Sequence, residues 1–284
     1  MRLAYAIVAL LLAMMGPVLS ANAAEDRYFT TSDGVRLHYL EAGHGQTIVF
    51  VPGWTMPAWI FTPQIEAFAL HYHVVAFDPR GQGDSAVAPD GYEPSRRGQD
   101  IAELLARLGP APVLLVGWSL GVLDSLAYVH THGDARIAGL VLVDNSVGED
   151  PPPMPSKHPP RPLKKLPREV EMRDFVRAMF AHPQPAAYLD RLTEACLRTP
   201  PLAAKELLSY PVPRTYWKEA VYATDKPVLY VVRPGFSGQA ANLTAHDPKA
   251  ESVVLRGVGH ALFVDNPAQF DGLLQDFIRR RVWQ

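Results

Sequence analysis

The chain has 284 residues, 48% of them hydrophobic and 20% charged, with a formal charge of −2. That balance excludes a disordered or fibrous chain, and without a basic run there is no phosphate footprint for nucleic acid. The single cysteine, Cys196, excludes an intrachain disulfide and a cysteine metal cluster, and reads as an apolar packing residue on a helix.

Arg2 precedes an apolar run from Leu3 to Leu19, interrupted by Gly16-Pro17. Ser20-Ala21-Asn22-Ala23-Ala24 follows before charge resumes at Glu25. Basic, apolar and small-residue regions in that order predict a secretory signal peptide over residues 1–23. The alternative is an uncleaved membrane anchor; the run is short for a span of roughly 20 residues, which favours cleavage, and no stable anchor is expected once the segment is removed. The mature protein is expected in the periplasm or secreted.

Tyr28 to Tyr39, turning at Asp33-Gly34, predicts a hairpin. Six short apolar runs follow: Thr47–Val51, His73–Phe77, Pro112–Val116, Ala138–Val143, Pro227–Val232 and Ala250–Leu255. Runs of this kind, without polar alternation, predict strands of a parallel sheet buried on both faces. Helical patterns lie between them at Gln99–Leu108, Leu120–His132 and Ala268–Arg280, the last opened by Asn266-Pro267. The alternation implies an α/β fold with a doubly wound, mostly parallel sheet. From Asn145 to Tyr222 no strand is predicted. A Pro-rich segment, Pro151–Pro167, leads into helical stretches near Glu169–Ala181, Tyr188–Leu197 and Leu202–Leu208. Residues 145–222 are therefore expected to form a helical cap on a core of residues 24–144 and 223–284, shaping a pocket at the strand ends.

The chemistry concentrates in Gly117-Trp118-Ser119-Leu120-Gly121, between a predicted strand and a predicted helix. Small residues around a serine at such a turn let the backbone bend sharply and project the hydroxyl into a cleft. A serine needs a base within hydrogen-bond reach. Of ten histidines, His260 stands out, in the Gly-rich loop Gly257-Val258-Gly259-His260 after the last strand. That loop belongs to the carboxyl edge of the sheet, where Ser119 also lies.

The nucleophile turn, the late Gly-x-Gly-His loop and Phe77-Asp78-Pro79-Arg80-Gly81-Gln82-Gly83-Asp84-Ser85 together resemble the α/β-hydrolase superfamily from about Tyr28 onward. The resemblance implies an oxyanion hole made by the backbone N–H groups of Trp54 and Leu120. It treats Asp78 and Arg80 as structural. It also implies an acid partner for His260, usually placed after the strand ending Val231-Val232. This chain reads Arg233-Pro234-Gly235 there and has no carboxylate. Some relatives, haloalkane dehalogenases among them, carry the acid one strand earlier, and in that register it is Asp144. Asp247, Asp124 and Asp265 are weaker candidates. A serine at the turn, where dehalogenases and epoxide hydrolases carry an aspartate, favours acyl transfer over halide displacement or epoxide opening.

The expectation is thus a serine hydrolase acting on a small-molecule ester, thioester or lactone through Ser119, His260 and Asp144. No cofactor and no metal are expected. C–C bond hydrolysis or perhydrolysis on the same three residues remains open, as does ligand binding on a degenerate hydrolase scaffold.

Overall fold

The computed structural model describes residues 24–152 and 166–284. The leader expected over 1–23 and the centre of the Pro-rich segment lie outside the described residues. The first half of the chain forms β1 (Glu25–Thr30), β2 (Arg36–Ala42), β3 (Thr47–Val51), α1 (Thr62–Phe68), β4 (His73–Asp78), α2 (Pro94–Arg107), β5 (Val113–Trp118), α3 (Leu120–His132) and β6 (Ile137–Val143). Four helices follow: α4 (Arg168–Ala178), α5 (Ala186–Leu197), α6 (Pro201–Glu206) and α7 (Thr215–Ala223). The chain then returns through β7 (Val228–Val232), α8 (Ser237–His246), β8 (Ala250–Val254), α9 (Leu262–Asp265) and α10 (Pro267–Phe277).

The eight strands make one sheet in the order β1-β2-β4-β3-β5-β6-β7-β8. β2 pairs antiparallel with both β1 and β4, and every other pairing is parallel. The five residues of β3 and the six of β5 are all buried, because β-branched and leucine side chains meet helices on both faces. Along β3, Val49 and Val51 join one core with Leu104 and Leu105 of α2 and Leu126 of α3. Ile48 and Phe50 point the other way, into a second core with Phe68 of α1 and Phe270, Leu274 and Phe277 of α10. The four helices between β6 and β7 divide between these cores. Met172, Val176, Leu192 and Cys196 join the second, whereas Leu207, Trp217 and Val221 join the first. Cys196 is fully buried there. No helix among the described residues is long and apolar enough to cross a membrane.

Register carries the fold to the site. Val143 pairs with Trp118 on one side and with Val231 on the other. Ser119 N–H then donates to the Val143 carbonyl, and Asp144 N–H to that of Val231, each at 2.9 Å. The residues that end β5, β6 and β7 therefore leave the sheet side by side. Gly121 governs how closely α3 approaches: a Cβ there would stand 2.1 Å from the Val51 carbonyl oxygen and 2.8 Å from that of Pro52. Gly98 does the same for α2 against the α3 backbone, where a Cβ would meet Tyr128 N at 2.8 Å. Since the α3 crossing has no room for a methyl group, Gly121→Ala is expected to destabilise the fold by about 1–3 kcal/mol. A lowered urea midpoint would report it, and an unchanged midpoint would contradict the crossing.

Candidate active site

Ser119 sits between β5 and α3 with φ 54° and ψ −117°, a left-handed conformation rare for a non-glycine residue. The flanking glycines make that bend possible. A Cβ on Gly117 would lie 2.3 Å from the Gly121 carbonyl oxygen, and one on Gly53 would lie 3.0 Å from the Ser119 Cβ. The strained turn points Oγ out of the sheet edge to within 2.8 Å of His260 Nε2.

His260 arrives on the loop between β8 and α9, and three contacts hold that loop. The Trp118 indole donates to the His260 carbonyl at 2.8 Å. Ala261 N–H donates to the Met179 carbonyl at 2.9 Å. Gly259 N–H donates to Asp265 Oδ2 at 2.6 Å. Gly259 is required because a Cβ would stand 2.4 Å from the Met179 carbonyl oxygen. Asp265, a weak acid candidate by sequence, thus braces the histidine loop.

Asp144 lies just past β6, in the left-handed region at φ 51°, with its side chain fully buried. Its Oδ2 accepts from His260 Nδ1 at 2.6 Å, which assigns the imidazole hydrogen to Nδ1 and leaves Nε2 to accept from Ser119. Burial pushes the Asp144 carboxyl up. The hydrogen bond and charge of His260, joined by the backbone N–H and charge of Arg233, outweigh burial and hold it below the usual carboxylate range. The other acids considered from sequence face elsewhere. Asp124 of α3 pairs with Arg97 of α2 at 3.0 Å between the two helices, where burial pushes its carboxyl up to about 6. Asp247 faces Lys249.

The N–H groups of Trp54 and Leu120 have no acceptor among the described residues. Both adjoin Ser119: Trp54 follows Gly53, whose backbone lies against the serine, and Leu120 opens α3. The Trp54 indole donates to the Ala204 carbonyl at 2.7 Å, tying this loop to α6, and its ring meets Phe175 of α4 edge-on at 5.0 Å. Gly53, Trp54, Trp118, Phe175 and Met179 line a cleft of about 240 Å³ together with Ser119 and His260. Beyond Trp54, Phe175 and Leu208 lies a second hollow of about 440 Å³, rimmed by Arg168, Glu171 and Lys205.

Three supporting residues escape sequence reasoning. Gln82 is buried, and one carboxamide grips the loop on both sides of Trp54. Its Oε1 accepts from Thr55 N–H at 2.7 Å, and its Nε2 donates to the Gly53 carbonyl at 3.2 Å. Asn145 Nδ2 donates to the Ser119 carbonyl at 2.8 Å. Arg233 bonds Asp144 through its backbone N–H at 2.9 Å and its Nε at 2.5 Å. Each is an ordinary polar residue in a loop, and only the folded arrangement assigns it a partner. His38, Asp78 and Asp84 bring ligand-type atoms within 4.8 Å of one another, but Asp78 and Asp26 occupy both His38 nitrogens. Asp78 also accepts from the N–H groups of Ala58 and Asp84, which makes it the tie of its loop.

Comparison with known proteins agrees with this architecture. The sequence profile of the Alpha/beta hydrolase family matches residues 48–272. The non-heme chloroperoxidase CPO-A1 of Kitasatospora aureofaciens is 35% identical over 115 residues, 40% of this chain and 42% of that one. The match thus spans about two fifths of that relative. The crystal structure of an esterase, RhEst1, from Rhodococcus sp. ECU1013 is similar at TM-score 0.75 and 25% identity, over 90% of this chain and 99% of that one. A bromoperoxidase structure from Bacillus anthracis is similar at TM-score 0.75 and 20% identity, over 90% and 100% of the two chains.

The Asp144–His260 bond generates a direct prediction. Asp144→Asn should lower kcat for p-nitrophenyl acetate by a factor on the order of 10⁴, because an amide donor favours the wrong imidazole tautomer. A rate near that of the unaltered protein would exclude Asp144 as the acid.

Proposed function

The chain belongs to the alpha/beta hydrolase family, and from that premise we propose that it is a serine hydrolase of esters, thioesters or lactones. The observation that carries the reading is the continuous relay from Ser119 Oγ through His260 Nε2 and Nδ1 to Asp144, at 2.8 and 2.6 Å. These lengths suit proton transfer between Ser119 Oγ and Nε2 while Asp144 keeps the hydrogen on Nδ1.

In the proposed reaction the Ser119 oxygen attacks the substrate carbonyl while His260 Nε2 takes the hydroxyl proton. The carbonyl oxygen becomes an oxyanion facing the N–H groups of Trp54 and Leu120. Asp144 holds the Nδ1 hydrogen and stabilises the imidazolium. Collapse of the tetrahedral centre breaks the bond to the leaving alkoxide or thiolate, which receives the Nε2 proton. Water, activated by the same imidazole, then attacks the acyl-serine and releases the acid and the free hydroxyl. The apolar lining by Trp54, Trp118, Phe175 and Met179 supports a small acyl substrate. Export through the leader-like segment 1–23 belongs to the same proposal.

Perhydrolysis is the second reading, favoured by the relatives named as a chloroperoxidase and a bromoperoxidase. Hydrogen peroxide then replaces water at the acyl-serine and a peracid leaves. Both readings require the same nucleophile. Ser119→Ala should therefore abolish p-nitrophenyl ester turnover while leaving the urea midpoint close to that of the unaltered protein. Hydrolysis that persists in this variant would end the proposal.

A further inference from the structure

Arg233 stands immediately past β7, where the superfamily usually carries the acid. Its guanidinium converges on the acid that reaches the same spot from β6. Arg233 Nε lies 2.5 Å from Asp144 Oδ2, the same oxygen that accepts from His260 Nδ1 at 2.6 Å. Arg233 Nη2 is 3.4 Å from Nδ1 itself. Because Nδ1 directs its hydrogen at Asp144, it has no lone pair for the guanidinium, so this approach places a permanent cation beside the imidazole. In a two-partner relay the tetrahedral stage combines a carboxylate, an imidazolium and an oxyanion, with one net negative charge. The guanidinium brings that stage to neutrality.

We infer that Arg233 is a positioning residue whose charge, shared through the Asp144 carboxylate, moves the acid limb of the pH–rate profile to lower pH. The inference rests on the serine-hydrolase reading of Ser119 and His260. The groups facing the imidazole are few. Asp144 comes from the end of β6, Arg233 from the end of β7, and Ser119 and the uncharged Trp118 ring, 5.3 Å away, from the end of β5, while α4 and the residue after it line the same cleft with the uncharged Phe175 and Met179. Asp265 of α9 meets the histidine loop through the Gly259 N–H, and the Tyr230 hydroxyl is turned onto the Asn145 carbonyl at 2.7 Å. A change of charge at position 233 therefore acts on the relay with little else to offset it. The Arg233 side chain is 38% exposed, so solvent screens part of its effect.

The geometry also separates charge from scaffold. The Arg233 backbone N–H donates to Asp144 Oδ1 whatever side chain is present. The test compares kcat/KM against pH for p-nitrophenyl acetate in the unaltered protein, Arg233→Gln, Arg233→Leu and Arg233→Lys. Gln and Leu should move the acid limb alkaline by roughly 0.5–1 pH unit. At a pH below that limb this lowers kcat/KM by about 3- to 10-fold relative to each plateau. Lys, which keeps the charge, should leave the limb in place. Gln keeps a donor for Asp144 and serves if Leu prevents folding. An unmoved limb in Gln, or a Lys limb displaced as far as that of Leu, would overturn the inference alone. Absence of Ser119-dependent turnover in the unaltered protein would overturn the underlying reading with it.

Discussion

A carboxylate with no exposure to water must have its charge met by the protein, and Asp144 is such a group. His260 Nδ1 and the backbone and side chain of Arg233 surround it with donors. Those three bonds require β6 and β7 to end in register and the histidine loop to return over them. The backbone accepts a left-handed φ at Asp144 to aim the side chain, a cost that the surrounding bonds outweigh. Once Asp144 is satisfied, the imidazole has one orientation left, with Nε2 toward Ser119.

The Ser119 side is organised by close backbone approach rather than by charge. Gly117 and Gly121 let β5, β3 and α3 meet within distances no side chain tolerates. That crowding presses the Gly53–Trp54 segment against the serine, and Gln82 holds the segment by gripping its peptide groups. The loop from Asp78 to Ser85, which the family resemblance treats as mainly structural, thus reaches the surroundings of Ser119 at second hand. The helices between β6 and β7 complete the site from above. Phe175 and Met179 line the cleft, and the Met179 carbonyl doubles as an anchor for the histidine loop.

Much of this was legible in the chain. Buried strands announce themselves as β-branched runs, and the paired glycines at 117 and 121 mark a turn whose sterics admit little else. Asp144 is singled out only through the resemblance to relatives that carry the acid one strand earlier, with Arg233 standing where a carboxylate is usual. Elements whose stability comes from tertiary contact were harder to see. α2 begins at Pro94, five residues before the expected Gln99, because Gly98 reads as a helix breaker until α3 is packed against it. α7 and α8 are not marked in the sequence, since the apolar faces of Thr215–Ala223 and Ser237–His246 are short and acquire meaning only against α3 and against β7–β8 respectively. Gln82, Asn145 and Arg233 were invisible for a related reason. A polar side chain in a loop has no periodicity, and its role lies wholly in the partner it meets.

The central claim is that Ser119 is a nucleophile made reactive by His260. It is tested most directly by treating the folded protein with a fluorophosphonate, whose fluoride leaves as the serine oxygen bonds phosphorus, and mapping the adduct by peptide mass spectrometry. The account predicts one adduct, on Ser119, that disappears in His260→Ala. A folded protein that stays unlabelled, or one that is labelled elsewhere or just as fast without the imidazole, would contradict it.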